Sequence, residues 1–370
     1  MRITAVGSFL LCCVSVSLLA QTELARSLPQ AATPLPAESQ SADAGRFSFF
    51  VYGDTRSRVD GISAQPEHSM VVNGMIDTIK RLQSTPFPVR FVLSTGDGVT
   101  NGREALQWNR SFLDVVSRLV REGNVSYFMT AGNHDVTTAR TADAPERIIG
   151  LTNFLAVNNP FIPAAGSPRR LAGYPTYAVG YGNTFFLTLD SNLAADDTQF
   201  AWVKAQLDGL DRSRYANIVV FMHHPVFSSG PHGGPIVETS TASLRFRYMP
   251  LFNAHHVNAV FAGHDHLFEH WIERYEDATG PHRMDLIVTG GGGAPPYPYV
   301  SEPDTGGFSR ANHAKLEHLV KPGLNAGDTP YHFVVVRVAG TRLSLEVNGV
   351  EPGKTFRPYH SSATVTLDNP

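Results

Sequence analysis

Thiols are almost absent from this chain: of 370 residues only Cys12 and Cys13 are cysteine, and both fall within the first 20. If that segment is removed, disulfides, cysteine nucleophiles and thiolate-bound metals are excluded from everything that follows. Charge of one sign is lacking too. Thirty Lys and Arg against 33 Asp and Glu leave a net charge of -3, and no block of like charge stands out. A stripe for a phosphate backbone or a polybasic membrane surface is thereby disfavoured, so no nucleic acid partner is expected. No internal repeat is evident either. What is present, 42% apolar and 17% charged residues, is an ordinary globular composition, long enough for one large domain.

Arg2 precedes an uncharged, mostly apolar run from Ile3 to Ala20, and polar Gln21 and Thr22 follow. This pattern predicts a signal peptide over 1–20, hence a periplasmic or secreted protein that meets a membrane only if the segment stays uncleaved. Leu11 before the cysteines disfavours a lipoprotein. Residues 21–45, rich in Ala, Pro, Ser and Gln without apolar periodicity, read as a flexible linker. The folded domain is expected over 46–349, with a C-terminal tail over 350–370.

Within the domain, β-rich runs alternate with amphipathic stretches: 47–52, 70–82, 89–94, 108–120 and 125–130. This reads as strand, helix, strand, helix, strand with parallel pairing. A hairpin is expected around Gly180 and Gly182, then a helix over 199–210, a strand over 217–222, a helix near 244–254 and strands over 259–262 and 285–289. A second hairpin is expected over 333–347. The Gly- and Pro-rich segments 160–175 and 293–330 read as surface loops.

Several strands run into polar residues of metal-binding type. The first ends in Gly53-Asp54-Thr55-Arg56, the second in Gly96-Asp97-Gly98 and the third in Gly132-Asn133-His134-Asp135. Later come Met222-His223-His224-Pro225 and Gly263-His264-Asp265-His266. The carboxyl ends of adjacent parallel strands converge on one crevice, so these groups should meet. Asp, Asn and neutral His form a donor set suited to Mn, Fe, Zn or Co. Two such ions about 3.5 to 4 Å apart can activate a water and clamp a phosphoryl group.

The ordered series Gly-Asp, Gly-Asp, Gly-Asn-His-Asp, His-His-Pro and Gly-His-Asp-His resembles the calcineurin-like metallophosphoesterases over roughly residues 47 to 300. The resemblance implies an α/β fold, a sandwich of two mixed β-sheets flanked by helices. It also implies two divalent or trivalent metal ions, Mn, Fe or Zn. By position, Asp97 corresponds to the bridging carboxylate, Asp54 and His266 to ligands of one metal, and Asn133, His223 and His264 to ligands of the other. His134 corresponds to the substrate-facing histidine that stabilises the transition state or protonates the leaving oxygen. His224 reads as a group hydrogen-bonding behind the ligands, and His255 and His256, on a predicted helix, as ordinary surface or packing residues. His232 is a candidate substrate contact. The run Gly290 to Gly293 reads as a tight loop beside the metals, with a phosphate cradle as the other reading.

The family often has Asp-x-His in its first motif, and here Arg56 takes the histidine's place; a guanidinium has no lone pair for a metal. Purple acid phosphatases also lack that histidine but carry a tyrosine three residues after the second-motif Asp, where this chain has Thr100. The first metal site is therefore expected to have fewer protein ligands, completed by water or His68. Arg56 either grips a substrate phosphate or forms a structural ion pair. The activity implied is an exported dimetal phosphoesterase acting on small-molecule phosphate esters by attack of metal-bound hydroxide, with phosphomonoesters favoured over diesters. The rival class is a metal- or phosphate-binding protein that has lost catalysis; retention of His134 argues against it. A 5′-nucleotidase is disfavoured because little chain follows Gly349.

Overall fold

A computed structural model describes residues 23–234, 237–351 and 365–366. The proposed signal segment 1–20 lies outside the described residues, as does most of the proposed tail. In chain order the regular elements are β1 (Arg46–Tyr52), α1 (Pro66–Leu82), β2 (Val89–Ser94), α2 (Ala105–Gln107), α3 (Asp114–Gly123), β3 (Ser126–Met129), α4 (Ile148–Asn158), β4 (Tyr177–Tyr181) and β5 (Thr184–Thr188). There follow α5 (Asp197–Asp208), β6 (Asn217–Phe221), α6 (Thr239–Ser243), α7 (Met249–Ala254), β7 (Ala259–Ala262), β8 (Phe268–Asp277), β9 (Gly280–Thr289), α8 (Gly306–Asn312), β10 (Lys315–Val320), β11 (His332–Ala339), β12 (Arg342–Gly349) and β13 (Val365–Thr366). Wide π-helical turns, Trp108–Leu113 and Leu244–Tyr248, join α2 to α3 and α6 to α7.

The strands form two mixed sheets, as the sequence predicted. One runs β13-β12-β11-β1-β2-β3, with β1, β2 and β3 parallel; the other runs β10-β8-β9-β7-β6-β5-β4, with β5, β6, β7 and β9 parallel. Central strands are buried along nearly their whole length, which is why they read as continuous apolar runs such as Phe47–Tyr52 and Asn217–Phe221. The sheets face each other through aromatic side chains. Phe49 and Phe91 of one each meet Phe186 of the other edge-on, with ring centroids 5.1 and 5.0 Å apart. Each such pair contributes about 0.5–1.5 kcal/mol beyond its buried area.

Helices cover the outer faces. Helix α1 starts with Pro66 at a position where no backbone N–H is needed and buries Val71, Val72, Met75, Ile76 and Ile79 on one stripe, closing with Lys80 and Arg81 in its last turn. Helices α5 and α7 bury Val203, Leu207, Leu251 and Phe252 in a second apolar cluster on the other sheet.

Three expectations require correction. Residues 23–45 are not a free linker: Leu28 is buried and its N–H reaches Val157 O, while Glu38 bonds Arg169 and Tyr215. Sparse apolar residues and anchoring ions, rather than periodicity, hold this strap. The segment 293–330 contains α8 and β10, whose short, half-exposed pattern hid them from a periodicity reading. The predicted helix near 244–254 is present, as a π-helical turn running into α7, but it ends at Ala254, so His255 and His256 do not lie on it, and His256 takes a left-handed φ of 52°. Strand β8 and helix α4 were not foreseen.

Candidate metal centre

The expected metal ligands stand at the carboxyl ends of parallel strands of both sheets: Asp54 after β1, Asp97 after β2, Asn133 after β3, His223 after β6 and His264 after β7. Asp54, Asp97 and His264 have φ of 60°, 54° and 70°, a left-handed backbone that costs non-glycine residues roughly 1–2 kcal/mol each. The chain packs closely at Gly132 and Gly263. A Cβ on Gly132 would lie 2.1 Å from Asp97 Oδ1, and one on Gly263 would lie 2.2 Å from Asp54 Oδ2. Only glycine lets the two sheets' ends approach so closely. Asp135 locks the geometry by accepting N–H groups from Asp97, Gly98 and Gly132 at 2.8–3.0 Å. His264 N–H bonds both oxygens of Asp54.

The donor atoms converge. Asp97 Oδ1 is 3.4 Å from His223 Nε2, and Asp54, Asp97 and His223 offer ligand atoms all within 4.8 Å of one another. His223 Nε2 lies 2.9 Å from Asn133 Oδ1 and 3.1 Å from His264 Nδ1. His266 Nε2 is 3.6 Å from Asp54 Oδ1. Backbone and carboxylate partners assign the tautomers: His223 and His266 donate Nδ1–H to Thr95 O and Pro295 O, and His264 donates Nε2–H to Glu238. Each imidazole thus turns a lone pair inward, the orientation that outer partners impose on metal-ligating histidines.

Electrostatics point the same way. Burial pushes the His223 and His266 imidazoles down to about 4 and about 3, so both are neutral near neutral pH. Burial and the neighbouring Asp97 hold the Asp54 carboxyl well above its ordinary range. For Asp97, burial is outweighed by His223, His134, Arg56 and His264, which hold it low. Buried acceptors facing one another without protons between them demand a cation. The residues present therefore fit bound metal: Asp54, Asp97 and His266 for a first ion, and Asp97, Asn133, His223 and His264 for a second.

Above Asp97 stands His134, whose N–H bonds Asp97 Oδ1 at 3.0 Å and whose Nδ1–H bonds Thr100 O at 2.8 Å. Its Nε2 contacts the Arg56 guanidinium, which also donates to Tyr297 Oη at 3.2 Å. Among the described residues no carboxylate lies within 4.0 Å of that guanidinium, so Arg56 is not in the structural ion pair that was one of its two readings. Thr100 Oγ1 is paired with Ser57 Oγ at 2.7 Å. His68, the other proposed completion of the first site, is buried against Tyr52 with a ring separation of 6.0 Å. The His232 ring lies 4.4 Å from that of His264, tilted by 44°, with Nδ1 2.9 Å from Glu238. Its hydrogen bond to Glu238 raises its pKa. His224 bonds Ser191 Oγ and lies 4.5 Å from the His264 ring. Gly292 N–H is spent on Gly53 O, which makes the 290–293 run a tight loop beside Asp54.

Sequence reasoning missed two site residues. Glu238 sits among His224, His232 and His264 and belongs to no motif. Tyr297 stacks on His266 at 4.2 Å, a contact made by a Pro-rich loop with no periodic signal. Asp135, quoted in its motif, carried no assigned role.

Two mixed sheets with imidazoles and carboxylates at their joined strand ends define a dinuclear-metal hydrolase architecture. The chain belongs to the calcineurin-like phosphoesterase family, whose sequence pattern matches residues 49–268. It is 26% identical over 200 residues to the Fe(3+)-Zn(2+) purple acid phosphatase 12 of Arabidopsis thaliana, a stretch that covers 52% of this chain and 39% of that one. It is 28% identical over 218 residues to tartrate-resistant acid phosphatase type 5 of Sus scrofa, covering 55% and 58%. The chain thus spans about two to three fifths of the length of these curated relatives. The purple acid phosphatase PPD1 of yellow lupin, Lupinus luteus, shares the fold with a TM-score of 0.60 at 17% identity, over 88% of this chain and 54% of that one.

Proposed function

We propose that this protein is an exported dimetal phosphoesterase that hydrolyses small-molecule phosphomonoesters. The observation that carries the reading is the placement of Asn133 Oδ1 and His264 Nδ1 at 2.9 and 3.1 Å from His223 Nε2, with both rings turning a lone pair inward, beside the Asp54–Asp97 pair. Ions held there would supply Lewis acidity and an activated water. The chain's own residues do the rest. Asn133 orients a phosphoryl oxygen, and His134, its Nδ1–H held by Thr100 O, faces the leaving oxygen with Nε2 and, once that nitrogen takes up a proton from solvent, delivers it there. Arg56, free of any carboxylate partner, donates its planar fork to a peripheral phosphate oxygen. His232, whose pKa is raised by its hydrogen bond to Glu238, stands beside it.

A guanidinium facing the phosphoryl group favours a dianionic monoester over a monoanionic diester, which is why monoesters are preferred here. In the first site Arg56 replaces an imidazole and Thr100 is spent on Ser57, so that ion has three protein ligands and binds more weakly. No helix among the described residues is long and apolar enough to cross a membrane. Export rests on the pattern of residues 1–20.

The test pairs metal analysis of the purified chain with hydrolysis of chromogenic phosphate monoesters and diesters, with and without added Mn or Zn. Two ions per chain at the strand-end cluster, with metal-dependent turnover faster on the monoester, are expected. Faster diester turnover would reassign the substrate class, and metal without turnover on either would leave a binding protein.

A further inference from the structure

At the opposite end of β8 from His266, roughly 30 Å along the strand, a second group of imidazoles closes on one carboxylate. His256 Nε2 lies 2.8 Å from Asp277 Oδ2, and His282 Nε2 lies 3.0 Å from Asp277 Oδ1. The two rings stack face to face, centroids 4.0 Å apart and 14° from parallel. His282 is braced from behind by its cross-strand partner Tyr275, 5.4 Å away. The carboxylate is fixed in turn, because Thr279 donates both its N–H and its hydroxyl to Asp277 Oδ1 and holds the hydroxyl 2.8 Å from His282 Nε2. One ligand atom from each of the three residues falls within 4.8 Å of the others.

Backbone placement makes this more than a chance surface contact. Asp277 and His282 flank the tip of the β8–β9 hairpin, where Asp277 pairs with Gly280, so their spacing is set by the ladder register. His256 is brought in by a left-handed residue just past α7, φ 52°, whose N–H closes on Asn253 O. A left-handed histidine held against its own steric preference presents its ring to the hairpin tip. The side chains keep 31%, 36% and 12% exposure for His256, Asp277 and His282, which leaves an open face for water ligands.

We propose that His256, Asp277 and His282 form a peripheral binding site for a borderline divalent transition metal of the zinc, copper and nickel class. Two imidazole nitrogens and one carboxylate oxygen match that class rather than Mg²⁺ or Ca²⁺, which take oxygen sets. On binding, each imidazole loses its Nε2–H proton to water and keeps or takes one at Nδ1, so that the Nε2 lone pair goes to the ion, while Asp277 exchanges its two imidazole N–H donors for the metal. No oxidant or reductant is needed.

The test is equilibrium dialysis of the full chain against micromolar zinc, with bound zinc counted in the wild type and in a His256→Asn, His282→Gln double variant. Asn tolerates the left-handed backbone at 256. The variant is expected to bind one zinc fewer per chain, however many ions the strand-end cluster holds, with ester hydrolysis unchanged. An equal number in both proteins overturns the site. Should the double variant fail to fold, Asp277→Asn takes its place with the same count: one zinc fewer supports the site, and an unchanged count overturns it.

Discussion

The two halves of the strand-end cluster are unequal. Around Asn133, His223 and His264 every ligand is buried or pinned, its tautomer is set by a carbonyl or by Glu238, and four donors including Asp97 face one point. Around Asp54 and His266 only three donors meet, Arg56 occupies the position of a further imidazole, and its guanidinium turns to His134 and Tyr297 instead. The difference teaches that a site can carry fewer donors on the same scaffold, because Asp97 serves both halves and the left-handed turns at Asp54 and His264 are tied by the His264 N–H to Asp54.

The largest effect should come from the residue that both halves serve. His134→Ala is expected to cut kcat by roughly 10²- to 10⁴-fold while bound metal stays the same; steady-state kinetics beside metal analysis would check this, and unimpaired turnover would remove His134 from the mechanism. Next, Glu238→Gln takes away the carboxylate that fixes the His264 tautomer. Affinity for the second ion should fall by about 10- to 100-fold in a competition titration with a chromophoric chelator, with the first ion scarcely changed. Equal weakening of both would erase the proposed division of labour.

Arg56→His restores an imidazole to the depleted half. Affinity for the first ion should rise by about tenfold, while KM for the monoester rises because the phosphate loses its guanidinium. A variant with tighter metal and unchanged KM would mean that Arg56 does not touch substrate.

The smallest effect concerns a buried carboxylate outside the cluster. Glu273 on β8 accepts one bond from Asn253 and has Oε2 unpartnered, and burial pushes it up to about 7. A folded-state pKa above the unfolded value favours the fold while the proton is bound, so this contribution is complete at pH 4 and is lost as pH rises through about 7. Glu273→Gln should therefore be stabilising relative to wild type at pH 8 by about 1–3 kcal/mol, with the gap vanishing near pH 5 in thermal melts. A gap independent of pH would show that packing, not ionisation, distinguishes the two side chains.

Much of this was legible in sequence. The parallel strands were visible because buried central strands are continuous apolar runs, and the candidate ligands because they follow such runs closely and Asp54, Asp97, Asn133 and His264 each sit beside a glycine. Strand β8 was harder: Phe268–Asp277 mixes Glu269, His270 and Glu273 into a buried strand, and these are balanced by partners distant in sequence. The strap over residues 23–45 was hidden for the same reason, since its anchors are single contacts such as Glu38 with Arg169. Glu238 could not be read from spacing, because it is brought to His264 by a turn after a motif rather than by a strand end.

The inequality of the two halves is tested most directly by titrating the metal-free His256→Asn, His282→Gln variant, which lacks the peripheral site, with zinc and following heat and stoichiometry together. The account predicts one tight event at the Asn133, His223 and His264 half and a separate event at least about tenfold weaker, the weaker one tightened by Arg56→His alone. Two events of equal affinity, or a tight event that shifts in the Arg56→His variant, would contradict it.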